Sequence, residues 1–311
     1  MLIRVNELLK NHLKLHFVVF IYGFTAILGK LITLPAAEMV WYRMLIAFAA
    51  LGIYLSYKKQ SVVYSGRVVL KMVAVGLVVA LHWITFFHAV KISNVSVTLG
   101  CLASTTLFTS ILEPIIVKRR VKWLELVIGL VIIGGLYLIF QFEFRYKLGI
   151  LTALTSAFLA GLFTVLNKTF ITKYHPVAIS FYEMGSGFVG ITLFLLLSGR
   201  FSSNFVAPVP LDWLWLVVLG IICTAYAFVV SIDVMKVLSA YSVVLTINME
   251  PVYGILMAFF IFRDSEFMSA GFYIGTLVIL SAVVLYPFLD RKLRKRALIA
   301  EMKASSKSYG K

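Results

Sequence analysis

Glu250 stands in the middle of a long apolar stretch, in Leu245-Thr246-Ile247-Asn248-Met249-Glu250-Pro251. A carboxyl at that depth is expensive unless it is paired, protonated or facing water, and such residues mark ion, proton or substrate paths. Ser242, Thr246, Glu250 and Tyr253 recur at helical spacing and are expected to form one polar stripe. Pro251 removes a backbone donor, so the helix is expected to open locally and offer a carbonyl to a substrate or ion. The competing reading is a protonated acid bonded to a neighbouring helix.

A second stripe carries Thr98, Cys101, Thr105, Thr109 and Glu113, suited either to lining a path or to close helix packing. Glu113 precedes Lys118-Arg119-Arg120 by little more than a turn, so pairing with those cations competes with any role in a path. His82, beside Trp83, could offer a neutral imidazole to a substrate. Arg43 and Glu183 occupy equivalent places in Tyr42-Arg43-Met44 and Tyr182-Glu183-Met184, which makes them candidate gate or charge partners together with Glu113. The candidate substrate or proton pathway is thus Glu250, His82, Thr246, Tyr253, Thr105 and Thr109.

These residues need a membrane to position them. Of 311 residues, 61% are hydrophobic and 14% charged. A bilayer core about 30 Å thick requires roughly 20 apolar residues per helix. Ten such stretches are legible, near 15–32, 37–57, 70–90, 95–117, 123–140, 148–171, 177–197, 213–235, 240–261 and 268–289. Their continuous apolarity excludes sheets, leaving an all-α integral membrane protein. Cys101 and Cys223 fall inside spans and are expected to be free thiols. The formal charge of +16 concentrates in alternate loops and the tail, leaving Lys91, Arg145, Lys147, Arg200 and Arg263 on the other side. That bias expects both termini in the cytoplasm of a cell whose inner (plasma) membrane holds the chain. The lipid bilayer and a small-molecule substrate are the expected partners, nucleic acid is not, and a homodimer stays open.

The chain is also written twice. Gly23-Phe24-Thr25-Ala26-Ile27-Leu28-Gly29-Lys30 returns as Gly161-Leu162-Phe163-Thr164-Val165-Leu166-Asn167-Lys168, and Ser93 with Ser96-Val97 returns as Ser239 with Ser242-Val243. The boundary falls near Gln141–Lys147, giving repeats over 1–142 and 143–311. Five spans per half is an odd number, so the halves must be inverted, ten transmembrane helices as two inverted five-helix repeats.

With these motifs in order, the chain resembles the drug/metabolite transporter superfamily, EamA type. The resemblance rests on the Glu250-Pro251 element, on Phe262-Arg263-Asp264-Ser265-Glu266 before Gly275, and on Tyr42-Arg43-Met44-Leu45-Ile46-Ala47. The first copy departs from it, with Ser104-Thr105 opposite Glu250-Pro251 and Arg120 where an acid is expected. The resemblance implies a secondary transporter exporting a small metabolite, an amino acid or related compound, by alternating access. Its site would lie between the halves, walled by spans 1, 3, 4, 6, 8 and 9, with spans 5 and 10 peripheral and proton coupling as one energy source. The alternatives are a gradient-independent facilitator, a sugar-phosphate or nucleotide-sugar carrier of the same superfamily, or a membrane receptor or structural protein. No enzyme is expected, because paired-histidine zinc, phosphate-loop and clustered-aspartate motifs are missing. No cofactor or metal is expected either.

Overall fold

The computed structural model describes residues 2–201 and 205–308, and among them every regular element is helical. Ten helices are long and apolar enough to cross a membrane. Spans 1 to 5 are Glu7–Leu31, Ala36–Tyr57, Gly66–Ile92, Val95–Val117 and Trp123–Phe142. Spans 6 to 10 are Phe144–Ile171, Pro176–Leu197, Pro210–Lys236, Ala240–Phe262 and Ala270–Asp290. The first and last helices run on beyond their apolar windows, from Leu2 and to Ser308. Residues 202–204, in the long connection before span 8, lie outside the described residues, as do 1 and 309–311. Below, the near face is that of the amino terminus and the far face its opposite. Cys101 and Cys223 are buried free thiols.

The packing repeats with the sequence. Span 3 packs on spans 6 and 7, and span 8, its counterpart, packs on spans 1 and 2. Span 4 packs on span 6 as span 9 packs on span 1, while spans 2 and 7, 4 and 9, and 5 and 10 pack on their own counterparts. Only a twofold relation between the halves produces this set of pairs. The halves meet at Glu143, whose Oε1 accepts from Ser269 N at 2.8 Å and so holds the start of span 10.

Spans 5 and 10 are joined by backbone contact. A Cβ on Gly275 would stand 2.6 Å from the Gly135 carbonyl oxygen, and one on Gly135 would stand 2.8 Å from that of Gly275. Small residues permit such approach in lipid. Gly275→Ala is therefore expected to lower stability by about 1–3 kcal/mol, the usual range for overpacking. Gly134→Ala, with open space around it, should be neutral. Thermal unfolding of the two variants in detergent checks this; equal midpoints would mean that the helices separate freely.

Three spans depart from regular α-helix. Span 4 stops at Leu102 and resumes at Thr105; span 9 stops at Ile247 and resumes at Glu250. In span 9, Pro251 cannot donate back to Ile247. Span 4 has no proline there, and Thr105 Oγ1 instead takes the Leu102 carbonyl at 2.7 Å. The breaks meet, Asn248 Nδ2 donating to Thr106 Oγ1. In span 8, Val218–Tyr226 is a π-helix, with Thr224 Oγ1 donating to Leu219 O at 2.6 Å.

Candidate substrate cavity

A cavity lies between the halves. Spans 1, 3, 4, 6, 8 and 9 wall it, and span 2 contributes Arg43. It extends from mid-membrane to Met235, in the last turn of span 8 at the near face. Trp83, Phe86, Phe163 and Phe228 supply aromatic wall, and Arg43, Glu250, His82, Asn248, Thr105 and Tyr22 the polar groups.

Arg43 is buried, and its seat is made by the π-helix. Nε donates to Thr224 Oγ1 at 2.6 Å and Nη2 to the Cys223 carbonyl at 3.4 Å. The guanidinium carbon lies 3.8 Å from the centre of the Trp83 ring. Gly220 lets span 2 approach, since a Cβ there would meet Ile46 at 2.6 Å. Nη1 has no partner. A desolvated guanidinium held by stacking and two bonds keeps a spare donor at the cavity wall.

Glu250 opens the resumed helix of span 9, where the helix dipole favours an anion. It is buried, and Arg43 is the charged group that acts on it. The two form no contact ion pair among the described residues. One cavity therefore presents a guanidinium and a carboxyl that do not bond each other.

His82 is fixed by span 6. Nδ1 lies 2.9 Å from the Ser156 carbonyl, which only accepts, so Nδ1 carries the proton. Ser156 Oγ returns a bond to the His82 carbonyl at 3.0 Å. Nε2 is then an acceptor on a ring that lines the cavity.

The EamA-like transporter family model matches this chain twice, over residues 12–141 and 147–287. The chain belongs to the EamA-like transporter family. It is 28% identical over 162 residues to an uncharacterized transporter of Archaeoglobus fulgidus, covering 52% of this chain and 55% of that one. It is 29% identical over 201 residues to the pseudopaline exporter CntI of Pseudomonas aeruginosa, covering 61% and 65%. The chain thus spans between about half and two thirds of the length of these curated relatives. A solved protein structure, 17% identical, aligns over 91% of this chain and 99% of its own with a TM-score of 0.67, which concerns the fold alone. The protein is a multi-pass membrane protein of a transporter family.

In this EamA-like transporter the sequence-predicted residues divide. Glu250, His82, Thr105 and Arg43 line the cavity. Thr246, Tyr253 and Thr109 do not, which corrects the expectation of two continuous stripes. Each stripe crosses a helix break, so residues on its two sides do not share one face. Thr246 Oγ1 donates to Ser242 O at 3.0 Å, and Tyr253 packs edge-on to Phe20 of span 1. Thr109 presses on Gly161. Arg43 and Glu183 are not a pair, because Glu183 takes Asn167 instead. Glu113 is also away from the cavity. Arg119 Nη2 binds it at 3.0 Å and Glu125 at 2.8 Å, and Tyr286 donates to Glu125 at 3.1 Å, tying spans 4, 5 and 10 together at the near face. Tyr22 and Asn248 line the cavity without having been singled out. Asn248 was legible only as a neighbour of Pro251.

The equivalent lysines have unlike partners. At the far face Lys30 Nζ lies 2.8 Å from Glu266 Oε1, and Glu266 also accepts from Val95 N at 3.2 Å and Ser96 N at 2.9 Å. Asp212 holds Thr33 there, accepting from its N at 3.0 Å and Oγ1 at 2.6 Å. At the near face Lys168 donates to the carbonyls of Met235 and Leu238.

Proposed function

We propose that this protein exports a small metabolite, an amino acid or related compound, across the inner membrane by alternating access, with both termini cytoplasmic. The carrying observation is the cavity between the halves, where the Arg43 guanidinium and the Glu250 carboxyl stand unbonded to each other inside aromatic walls. A zwitterion offers a carboxylate to the first and an ammonium to the second, and its apolar part fits the ring-lined wall. The exporter among the relatives supports the direction, and the basic near-face loops support the orientation. Energy comes from a substrate or proton gradient, since the sequence holds no nucleotide-binding motif.

Flux in proteoliposomes loaded with an amino-acid mixture tests this. Glu250→Gln should lower flux of the transported species by about tenfold to a hundredfold, the weight of a charged hydrogen bond at ~1.5–3 kcal/mol. Wild-type protein that moves none of the mixture, or a variant as fast as wild type, would remove amino-acid zwitterions and Glu250 respectively from the reading.

A further inference from the structure

A second polar cluster lies outside the cavity, between spans 6 and 7 toward the near face. Glu183, Asn167 and Ser180 are each wholly buried. Asn167 Nδ2 donates to Glu183 Oε2 at 3.3 Å. Glu183 Oε1, Asn167 Oδ1 and Ser180 Oγ have no partner. Span 3 presses on the same place through Gly76, where a Cβ would stand 2.4 Å from the Glu183 carbonyl oxygen.

Among the described residues no counter-charge serves this carboxyl. Spans 2, 3, 6 and 8 pack on span 7. Their ionisable residues are engaged elsewhere or face outward. On span 2, Arg43 is held by Thr224 and Glu38 by Arg200. On span 3, His82 is held by Ser156 and Lys91 by the Ile32 carbonyl, while Lys71 and His88 are exposed. On span 6, Lys168 binds the Met235 and Leu238 carbonyls, and Lys147 at the far end lies over the Phe144 ring. On span 8, Asp212 holds Thr33, and Asp233 pairs with Lys236 and Lys14. On span 7 itself Glu183 is the sole acid or base.

A buried anion without a partner is among the costliest arrangements in a protein. One proton removes the difficulty. Placed on Oε1, it turns an orphan acceptor into a donor, and Asn167 Oδ1 is the orphan acceptor on the amide already bonded to this carboxyl. Acid and amide then close a reciprocal two-bond pair, satisfying both atoms together. We propose that Glu183 is a proton-binding site of the transport cycle, with Asn167 as its acceptor, separate from the substrate cavity. Ionisation requires spans 6 and 7 to part so that water reaches the carboxylate, and the proton leaves to that water. Closure returns a proton to Oε1. Asn167 directly precedes Lys168, whose bonds hold the cavity's near mouth at Met235. Loss of the proton is thus next in the chain to release of that mouth.

Infrared spectroscopy of the purified full chain in lipid, in sodium-free buffer at neutral pH, reads the proton directly. A protonated-carboxyl band is expected in Glu250→Gln, where the cavity acid cannot contribute, and should vanish when Glu183→Gln is added to it. If that double variant fails to fold, Asn167→Ala in the Glu250→Gln background replaces it, and the band should move to higher frequency as its acceptor is lost. No band in Glu250→Gln, a band that survives the added Glu183→Gln, or one unmoved by Asn167→Ala overturns the assignment. Disappearance on adding sodium overturns it too, making the cluster a metal-cation site. The place in the cycle rests on the transport reading and has its own arm in the amino-acid-loaded proteoliposomes. Glu183→Gln should retain exchange but lose acceleration by an imposed pH gradient. A gradient that speeds wild type and variant alike, or neither, reduces Glu183 to a structural acid, whereas absence of any wild-type exchange fails the transport reading instead.

Discussion

Arg43→Leu is expected to remove nearly all transport, through a loss of roughly 3–5 kcal/mol, within the range for truncating one member of a buried charge pair. Leucine deletes the bonds to Thr224 and Cys223, the stack on Trp83, and the one Arg or Lys among the described residues that line the cavity. It also leaves Glu250 facing that cavity without an opposing charge. Arg43→Lys separates these contributions. An ammonium keeps the charge but cannot stack flat on the indole or present a fork to two acceptors. It should recover only part of the activity and less of the thermal stability. Flux and unfolding midpoints of both variants decide the matter; full activity in Arg43→Leu would mean that the guanidinium merely braces span 2 against span 8.

The second large effect is at the far face. Glu266→Ala should cost about 3–5 kcal/mol, the range for breaking a buried ion pair from one side. Its carboxylate binds Lys30 and also caps the start of span 4 through Val95 N and Ser96 N, so one side chain fastens three elements. Lys30→Met should cost less, because Glu266 keeps both backbone donors. A change near 5.5 kcal/mol would carry a two-state equilibrium from 1:99 to 99:1. Glu266→Ala should therefore populate a form open to the far face. A Thr25→Cys reporter, on the cavity wall, should then react with an impermeant reagent applied from that face. Unchanged labelling with unchanged stability would show that Asp212 and its bonds to Thr33 close this end alone.

The two variants differ in how readable their sites were. The ten spans were legible, because bilayer thickness fixes length and the charged loops mark the ends, though the first begins at Glu7 rather than at 15. The repeat was legible because both copies retain their glycines and lysines in phase. Glu250 and His82 were legible as an acid and a base inside apolar spans, and both line the cavity. Thr246, Tyr253 and Thr109 were misplaced by extrapolating a helical stripe through a break. Pro251 gave warning in span 9; in span 4, Ser104-Thr105 gave none. The seat of Arg43 was hidden for a related reason. A π-helix leaves hydropathy unchanged and only shifts the bonding ladder, so nothing in the pattern around Thr224 marked it as a partner. Lys30 and Lys168 look alike in sequence, and only the fold gives one a carboxylate and the other carbonyls.

The paired breaks in spans 4 and 9 divide the core into two decks. In span 9 the far segment, Glu250–Phe262, packs on span 1 and on the far segment of span 4, Val95–Leu102. The near segment, Ala240–Ile247, packs on the near segment of span 4, Thr105–Val117, and on spans 1 and 6. An unbroken helix would act as a lever, so that pushing on one surface tilted the other. Here each lever is loosened at mid-depth, and Asn248 ties one break to the other through Thr106. Under the transport reading, a deck that tips at this joint disturbs a short stretch of backbone rather than a whole helix, so the side chains at each rim weigh heavily in which end is shut.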